Sequence, residues 1–389
     1  MKSLILFAVF CALYANAADS KHNIILRGSC ANSQLQFAGG AGRVAFMGGS
    51  ITQMNGYRPM VMAWLQTRFP KTKFEFINAG ISSTCSTTGA FRLRSEVLAK
   101  GRVELLFIEF AVNDDQDAAH ARRDCIRGLE GIIRQARAAQ PNMDIVVTHF
   151  VNPGMLAQLR AGKVPLAIAA HETVLKRYNV STIFLAREVA DRIDAVTLTW
   201  KEFGGTHPKP AGNAIATAMI GQLLDAAWNK KIARKPAPHP MPEKPLDEAS
   251  YFAGHFLSPA ASANAAWTWH VPDWKKIPGS FRANPFGGMK LLTATESGKE
   301  TIVKFTGRAL GAYVLAGPDT GVIEVSLDGG EWKRVDLYHR HSRGLHYPRT
   351  VMFAADFKRG SHTARIRLSK KSNSASKGTA ARILQFTVN

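Results

Sequence analysis

From residue 43 to residue 228, short apolar runs rich in β-branched and aromatic residues alternate with longer amphipathic segments. This alternation is the pattern of a parallel sheet wrapped by helices. It predicts strands over 44–47, 74–78, 105–110, 145–148 and 182–185, enough for a flavodoxin-like three-layer α/β/α sheet. Helices are expected over 59–69, 118–139 and 211–228, the last with Ile215, Met219, Leu223 and Ala226 along one stripe. In such a sheet ligands bind beyond the carboxyl ends of the strands, so the residues just after each strand carry the most information.

At 389 residues the chain is long enough for two domains, each with its own core. Pro236, Pro238, Pro240, Pro242 and Pro245 cannot continue a helix and favour extended backbone, which predicts a linker over 229–248 between an α/β domain at 20–228 and a second domain at 249–389. In the second domain the period changes from helical to alternating. Val325 and Leu327 meet an Asp328-Gly329 turn followed by Trp332 and Val335, and Ala364-Ile366-Leu368 and Leu384-Phe386-Val388 alternate likewise. An all-β sandwich or jelly roll is the expected fold.

Residues 1–17 read as a signal peptide: Lys2, an apolar run from Leu4 to Tyr14, then Ala15-Asn16-Ala17 as a cleavage site. No other stretch is long and apolar enough for a membrane helix, so a secreted or periplasmic protein is expected. After cleavage Cys30, Cys85 and Cys125 remain, allowing at most one intramolecular bridge, and none has metal-ligand spacing. The formal charge is +21, with +13 in residues 229–389 against +8 in 20–228. Such a surface concentrates anionic partners, including acidic glycans, although the scattered Lys and Arg equally fit a general basic bias. No nucleic-acid module or phosphate-binding loop is present, and no nucleic-acid partner is expected.

Four blocks carry chemistry. Gly48-Gly49-Ser50-Ile51-Thr52 follows the first strand, where two glycines allow a sharp turn that presents Ser50. Asn78-Ala79-Gly80 follows the second strand and Asn113-Asp114 the third, offering the Gly80 amide and the Asn113 side chain as donors to one oxygen. Gly204-Gly205-Thr206-His207-Pro208 precedes the last helix and supplies an imidazole, the side chain best suited to move a proton near neutral pH. Taken singly, each block also fits an ordinary turn or loop cap.

In their order and placement, Ser50, Gly80, Asn113 and His207 resemble the four blocks of the SGNH (GDSL-type) serine hydrolase superfamily, over residues 40 to 228. The resemblance implies ester hydrolysis through an acyl-serine, without metal or cofactor. It makes Ser50 the nucleophile and His207 the base and then acid, with the Ser50 and Gly80 amides and the Asn113 side chain as the oxyanion hole. Two positions depart from the family. Gly49 replaces the Asp of Gly-Asp-Ser, as in a subgroup resembling polysaccharide-directed esterases. Gly204 stands where an Asp usually orients the histidine. That leaves Glu202, Asp194 or a backbone carbonyl as the orienting group, or a weakened enzyme; we favour the carbonyl.

Other residues have plainer readings. Glu109, inside an apolar strand, is expected to pair with Arg92 or Arg94. Asp114 and Asp115 read as solvated caps, and His149 as a loop histidine or a substrate contact. His339, His341 and His346, among Arg340 and Arg343, read as an exposed basic loop, with a metal or acidic sugar as the alternative. Trp267, Trp269, Trp274 and Trp332 offer flat faces for sugar rings or fill a core. The leading expectation is a secreted esterase removing O-acetyl groups from a polysaccharide. The alternatives are a glycan-binding protein that has lost catalysis, and a lipase or thioesterase.

Overall fold

The computed structural model describes residues 20–228 and 231–389. The leader expected over 1–17 lies outside the described residues. The chain forms two compact units: one holds the described residues up to Gly89 together with Leu93–Ser250, the other Ala90–Arg92 with Tyr251–Asn389.

The first unit is built on a sheet of β1 (Ile24–Ile25), β2 (Ala41–Gly48), β3 (Lys73–Gly80), β4 (Leu105–Glu109), β5 (Asp144–Thr148) and β6 (Ser181–Ile183). Its spatial order is β1-β6-β5-β4-β2-β3. The strands from β2 to β6 pair in parallel, as the sequence predicts. β1, not anticipated, adds antiparallel to β6. Helices α1 (Ala31–Ala38), α2 (Ser50–Gln53), α3 (Tyr57–Arg68), α4 (Ser86–Glu96), α5 (Arg122–Ala139), α6 (Pro153–Arg160), α7 (Leu166–Arg177), α8 (Leu185–Asp194), α9 (Trp200–Phe203) and α10 (Pro210–Ala227) complete the unit.

Alternate residues of a strand point to opposite faces, and here both sets are buried: Val44 and Phe46 with Phe107 and Val146, and Ala45 and Met47 with Leu106 and Ile108. Double burial is why these strands read as continuous apolar runs. On α10 the buried stripe runs through Met219, Ile220, Leu223, Leu224 and Ala227, while Ala226, expected on it, faces solvent. The chain leaves β2 for β3 on one side and reaches β4 on the other. That reversal opens a crevice at the carboxyl ends of β2, β3 and β4.

The described part of the proline-rich stretch differs from a free linker. An extended proline-rich backbone makes no internal hydrogen bonds, so its carbonyls are open to other donors. Arg137 donates to the Pro240 carbonyl at 2.8 Å and Arg134 to that of Pro242 at 2.9 Å. Asn32 exchanges two bonds with the Ala237 backbone, each 2.8 Å, and His239 lies 2.7 Å from Asp144. The buried Glu130 carboxylate accepts from the Leu246 and Asp247 amides, the Ser250 hydroxyl and the Tyr178 hydroxyl. Residues up to Ser250 are therefore a strap on the first unit.

The second unit has two antiparallel sheets. One has β10 (Glu300–Gly307), β15 (Gly360–Leu368), β12 (Val322–Leu327) and β13 (Lys333–Asp336). The other orders β14 (Tyr347–Ala354), β11 (Leu310–Ala316), β16 (Ala381–Val388), β9 (Leu291–Ala294) and β8 (Thr268–His270), with β7 (His255–Leu257) also on β16. Val303, Phe305, Ile323, Ile366, Val314, Ile383 and Phe386 from the two sheets share one core, as in a sandwich. Asp328 and Gly329 both take positive φ at the predicted β12–β13 turn.

If the strap is held as described, Glu130→Ala strands four donors. It is expected to cost about 2–4 kcal/mol and to open the stretch after residue 230 to limited proteolysis, read by urea titration and peptide mapping.

Candidate active site

β2 ends at Gly48, and after Gly49 the chain enters the one-turn helix α2 at Ser50. A Cβ on Gly49 would stand 2.1 Å from Asn113 Oδ1, so the turn can lie against Asn113 only with glycine there. This packing accounts for the departure from Gly-Asp-Ser. Ser50 Oγ lies 2.7 Å from His207 Nε2. No acceptor for the Ser50 amide appears among the described residues.

His207 is carried by the connection from α9 to α10. Gly204 closes α9 in the left-handed region at φ +106°, donating to the Trp200 carbonyl at 3.1 Å. The Lys209 amide donates to Phe203 at 2.9 Å, and the buried Asn213 amide donates to the Pro208 carbonyl at 2.7 Å. These bonds hold the loop on both sides of His207. A Cβ at Gly204 would lie 2.2 Å from the Lys209 nitrogen, so an Asp there would strain the backbone and push the loop out of place.

The substitutes expected for that Asp are engaged elsewhere. Glu202 forms a capping box with Thr199, its carboxylate accepting from the Thr199 amide and hydroxyl at 2.8 and 2.7 Å. Asp194 accepts from Arg160 at 2.6 Å. Among the described residues no carboxylate and no backbone carbonyl bonds His207 Nδ1, which corrects the carbonyl reading too. The geometry is that of a Ser50–His207 dyad.

Two expected oxyanion donors lie at the same sheet edge, each satisfied internally. The Gly80 amide donates to Asn78 Oδ1 at 3.0 Å, and Asn113 Nδ2 to Asp117 Oδ2 at 2.5 Å. Asn113 opens a single π-helical turn, Asn113–Asp117, a distortion common at functional sites. A carbonyl oxygen entering here has to compete with Asn78 and Asp117.

Glu109 is the residue whose partners the sequence misassigned. Instead of pairing with Arg92 or Arg94, its buried Oε1 accepts from the Gly49 amide (3.0 Å), the Thr52 amide (3.2 Å) and the Thr52 hydroxyl (2.9 Å). Burial pushes the Glu109 carboxyl up to about 8, against the opposing pull of the Thr52 and Gly49 bonds. It braces the turn that presents Ser50. The position was recognisable as odd, but the turn it supports is 60 residues away in sequence.

Asp114 is likewise no surface cap. Fully buried, it accepts from the Ser86 amide and hydroxyl, each at 2.7 Å, and lies 2.8 Å from His171 Nε2. Asp115 accepts from Asn152 at 2.8 Å. His149 is fully buried against Glu172 at 2.9 Å, away from any substrate role. In the second unit His346 is buried on the Pro278 carbonyl, whereas His339 stacks on Tyr347, so the three histidines form no single exposed loop. Trp267 fills the core, Trp269 packs against it, Trp274 stacks on Phe281, and Trp332 lies under Arg367.

Between about pH 4.5 and 8 the folded chain holds a proton on Glu109 that the unfolded chain has lost, so stability falls as pH rises through this window. Glu109→Gln keeps an acceptor and removes that titration. The urea midpoint of wild type is therefore expected to fall further between pH 5 and pH 8 than that of the variant; equal slopes would contradict a neutral Glu109. Restoring the family Asp by Gly204→Asp is expected to cost about 1–3 kcal/mol and leave turnover no higher, read by thermal melts and ester hydrolysis.

With this geometry in hand, comparison with known proteins is informative. Residues 46–215 match the GDSL-like Lipase/Acylhydrolase family. No curated protein sequence matches the chain. Among solved structures, a two-domain esterase active on acetylated mannans has a similar fold, with a TM-score of 0.72 and 19% identity over 95% of this chain and 97% of that one. It was co-crystallized with mannopentaose. A second structure of a two-domain esterase active on acetylated mannans gives 0.72 and 20%, over 95% and 98%. At such identity the likeness speaks for the fold, and it runs through both units. Motif order and fold agree with this match: over residues 46–215 the chain is similar to the GDSL-like lipases and acylhydrolases.

Proposed function

We propose that the protein is a serine esterase that removes acetyl groups from an extracellular polysaccharide, Ser50 acting as nucleophile and His207 as proton carrier. The observation that carries the reading is the 2.7 Å contact between Ser50 Oγ and His207 Nε2 at the carboxyl edge of the sheet. The two-domain relative active on acetylated mannans supports the substrate class. The net charge of +21 suits an acidic glycan, and no described helix is long and apolar enough to cross a membrane.

In this reading His207 Nε2 takes the Ser50 proton as Oγ attacks the acetyl carbonyl. The Ser50 amide, joined by Gly80 N–H and Asn113 Nδ2 as they leave Asn78 and Asp117, stabilises the oxyanion. His207 then protonates the departing sugar oxygen, and a water deprotonated by the same nitrogen releases acetate from the acyl-serine. With Nδ1 unpartnered, only the Ser50 contact and the loop hold the imidazole.

That missing partner favours a second reading, a glycan-binding protein that no longer turns over. A fluorophosphonate probe and acetylated mannan separate the two. Rapid labelling of Ser50, with acetate release abolished by Ser50→Ala, is expected for the esterase. Glycan retention without labelling or release would overturn it in favour of the binder, and rates rising from acetyl to octanoyl esters would point to a lipase.

A further inference from the structure

Directly behind Asn113 lies a second concentration of reactive side chains that the esterase reading does not use. Cys85 precedes α4, Asp114 and His120 lie between β4 and α5, and Cys125 sits in the first turns of α5. The Cys85 sulfur, an Asp114 carboxylate oxygen and a His120 ring nitrogen all lie within 4.8 Å of one another. His120 Nδ1 is buried, 3.5 Å from Asp114 Oδ1, and makes no hydrogen bond of normal geometry. The Cys125 thiol lies within reach of the same imidazole. All three described cysteines are free thiols.

We propose that Cys85, Asp114 and His120, with Cys125 as fourth ligand, bind a structural zinc ion. Two thiolates, an imidazole and a carboxylate suit a borderline-soft divalent cation, whereas calcium or magnesium would require a shell of oxygens. Tetrahedral zinc with bonds of about 2.0–2.3 Å needs its ligand atoms roughly 3.3–3.8 Å apart. His120 Nδ1 and Asp114 Oδ1, at 3.5 Å, already meet this, and Cys125, outside the group of three, has to move in to complete the shell. On binding, the thiols give up their protons to water, and the neutral His120 ring coordinates through the lone pair of one nitrogen.

The surroundings have the form of a supporting shell. Asp114 is oriented by the Ser86 amide and hydroxyl and by His171, and Thr87 Oγ1 lies 3.4 Å from His120 Nε2. The His120 backbone is fixed by its amide, which donates to the Asp114 carbonyl at 2.8 Å. One ion would thus join the head of α4 to the segment after β4 that carries Asn113. It takes no part in the acyl-transfer steps.

The test uses the full chain, expressed with zinc in the medium and purified without chelator. Metal analysis is expected to find about one zinc per chain, and after stripping, Co²⁺ is expected to give thiolate charge-transfer and tetrahedral d–d absorption. In competition with a chromophoric chelator, Cys85→Ser and His120→Ala are expected to weaken Zn²⁺ binding by about a hundredfold or more, while Cys30→Ser leaves it unchanged. Added Zn²⁺ is expected to raise the Tm of stripped wild type but not of His120→Ala, which at the edge of the cluster remains usable if Cys85→Ser fails to fold. A protein that neither retains zinc nor gains Tm with micromolar Zn²⁺ would overturn the proposal. So would a Cys85–Cys125 disulfide, seen as a mass two hydrogens lighter.

Discussion

The carboxyl group of Glu109 holds together the turn on which the site depends. A serine at the end of a parallel strand reaches the crevice only if the chain reverses sharply, and a sharp reversal leaves backbone amides without partners. Here Glu109 Oε1, from the neighbouring strand, accepts from the amides of Gly49 and Thr52 and from the Thr52 hydroxyl. Inside a low-dielectric core each unmet donor would cost about 1–3 kcal/mol, so this one oxygen sets the geometry of α2 and with it Ser50. The raised Glu109 carboxyl follows from the same burial.

The departures from the family pattern share a steric origin. Gly49 is required because Asn113 packs against the turn, and Gly204 because the chain closes α9 left-handed and brings Lys209 back beside it. A side chain at either position would displace the element that presents a functional group. The loop thereby gives up the usual carboxylate beside the histidine, and its shape is kept instead by the Asn213 bond to Pro208 and the Lys209 bond to Phe203.

Legibility followed the range of the interactions. The parallel strands were readable because each is buried on both faces, and the sandwich because its strands alternate. The placement of Ser50, Gly80, Asn113 and His207 was readable because each follows a strand or precedes a helix, positions defined by local sequence. Glu109 and Asp114 were misread because their partners, Gly49, Ser86 and His171, come from other elements of the fold, whereas His149 proved the satisfied histidine its reading allowed, bonded to Glu172. For the same reason Cys85, Asp114, His120 and Cys125 show no metal-binding spacing along the chain. The strap was misread from the opposite side: prolines exclude a helix but leave carbonyls open, and only Arg134, Arg137 and Glu130 decide where they dock.

By itself the sequence determined the order of elements, the class of each unit and which side chains stand at the carboxyl edge of the sheet. These follow from hydrophobic period and from glycines and prolines, which act within a few residues. Tertiary structure alone decided that Ser50 meets His207 across 157 residues, that no carboxylate among the described residues reaches Nδ1 of His207, and that Glu109 braces the turn that presents Ser50. Hydrogen bonds and charge contacts are satisfied by whichever group the fold brings within about 3 Å, and separation along the chain places no limit on that choice.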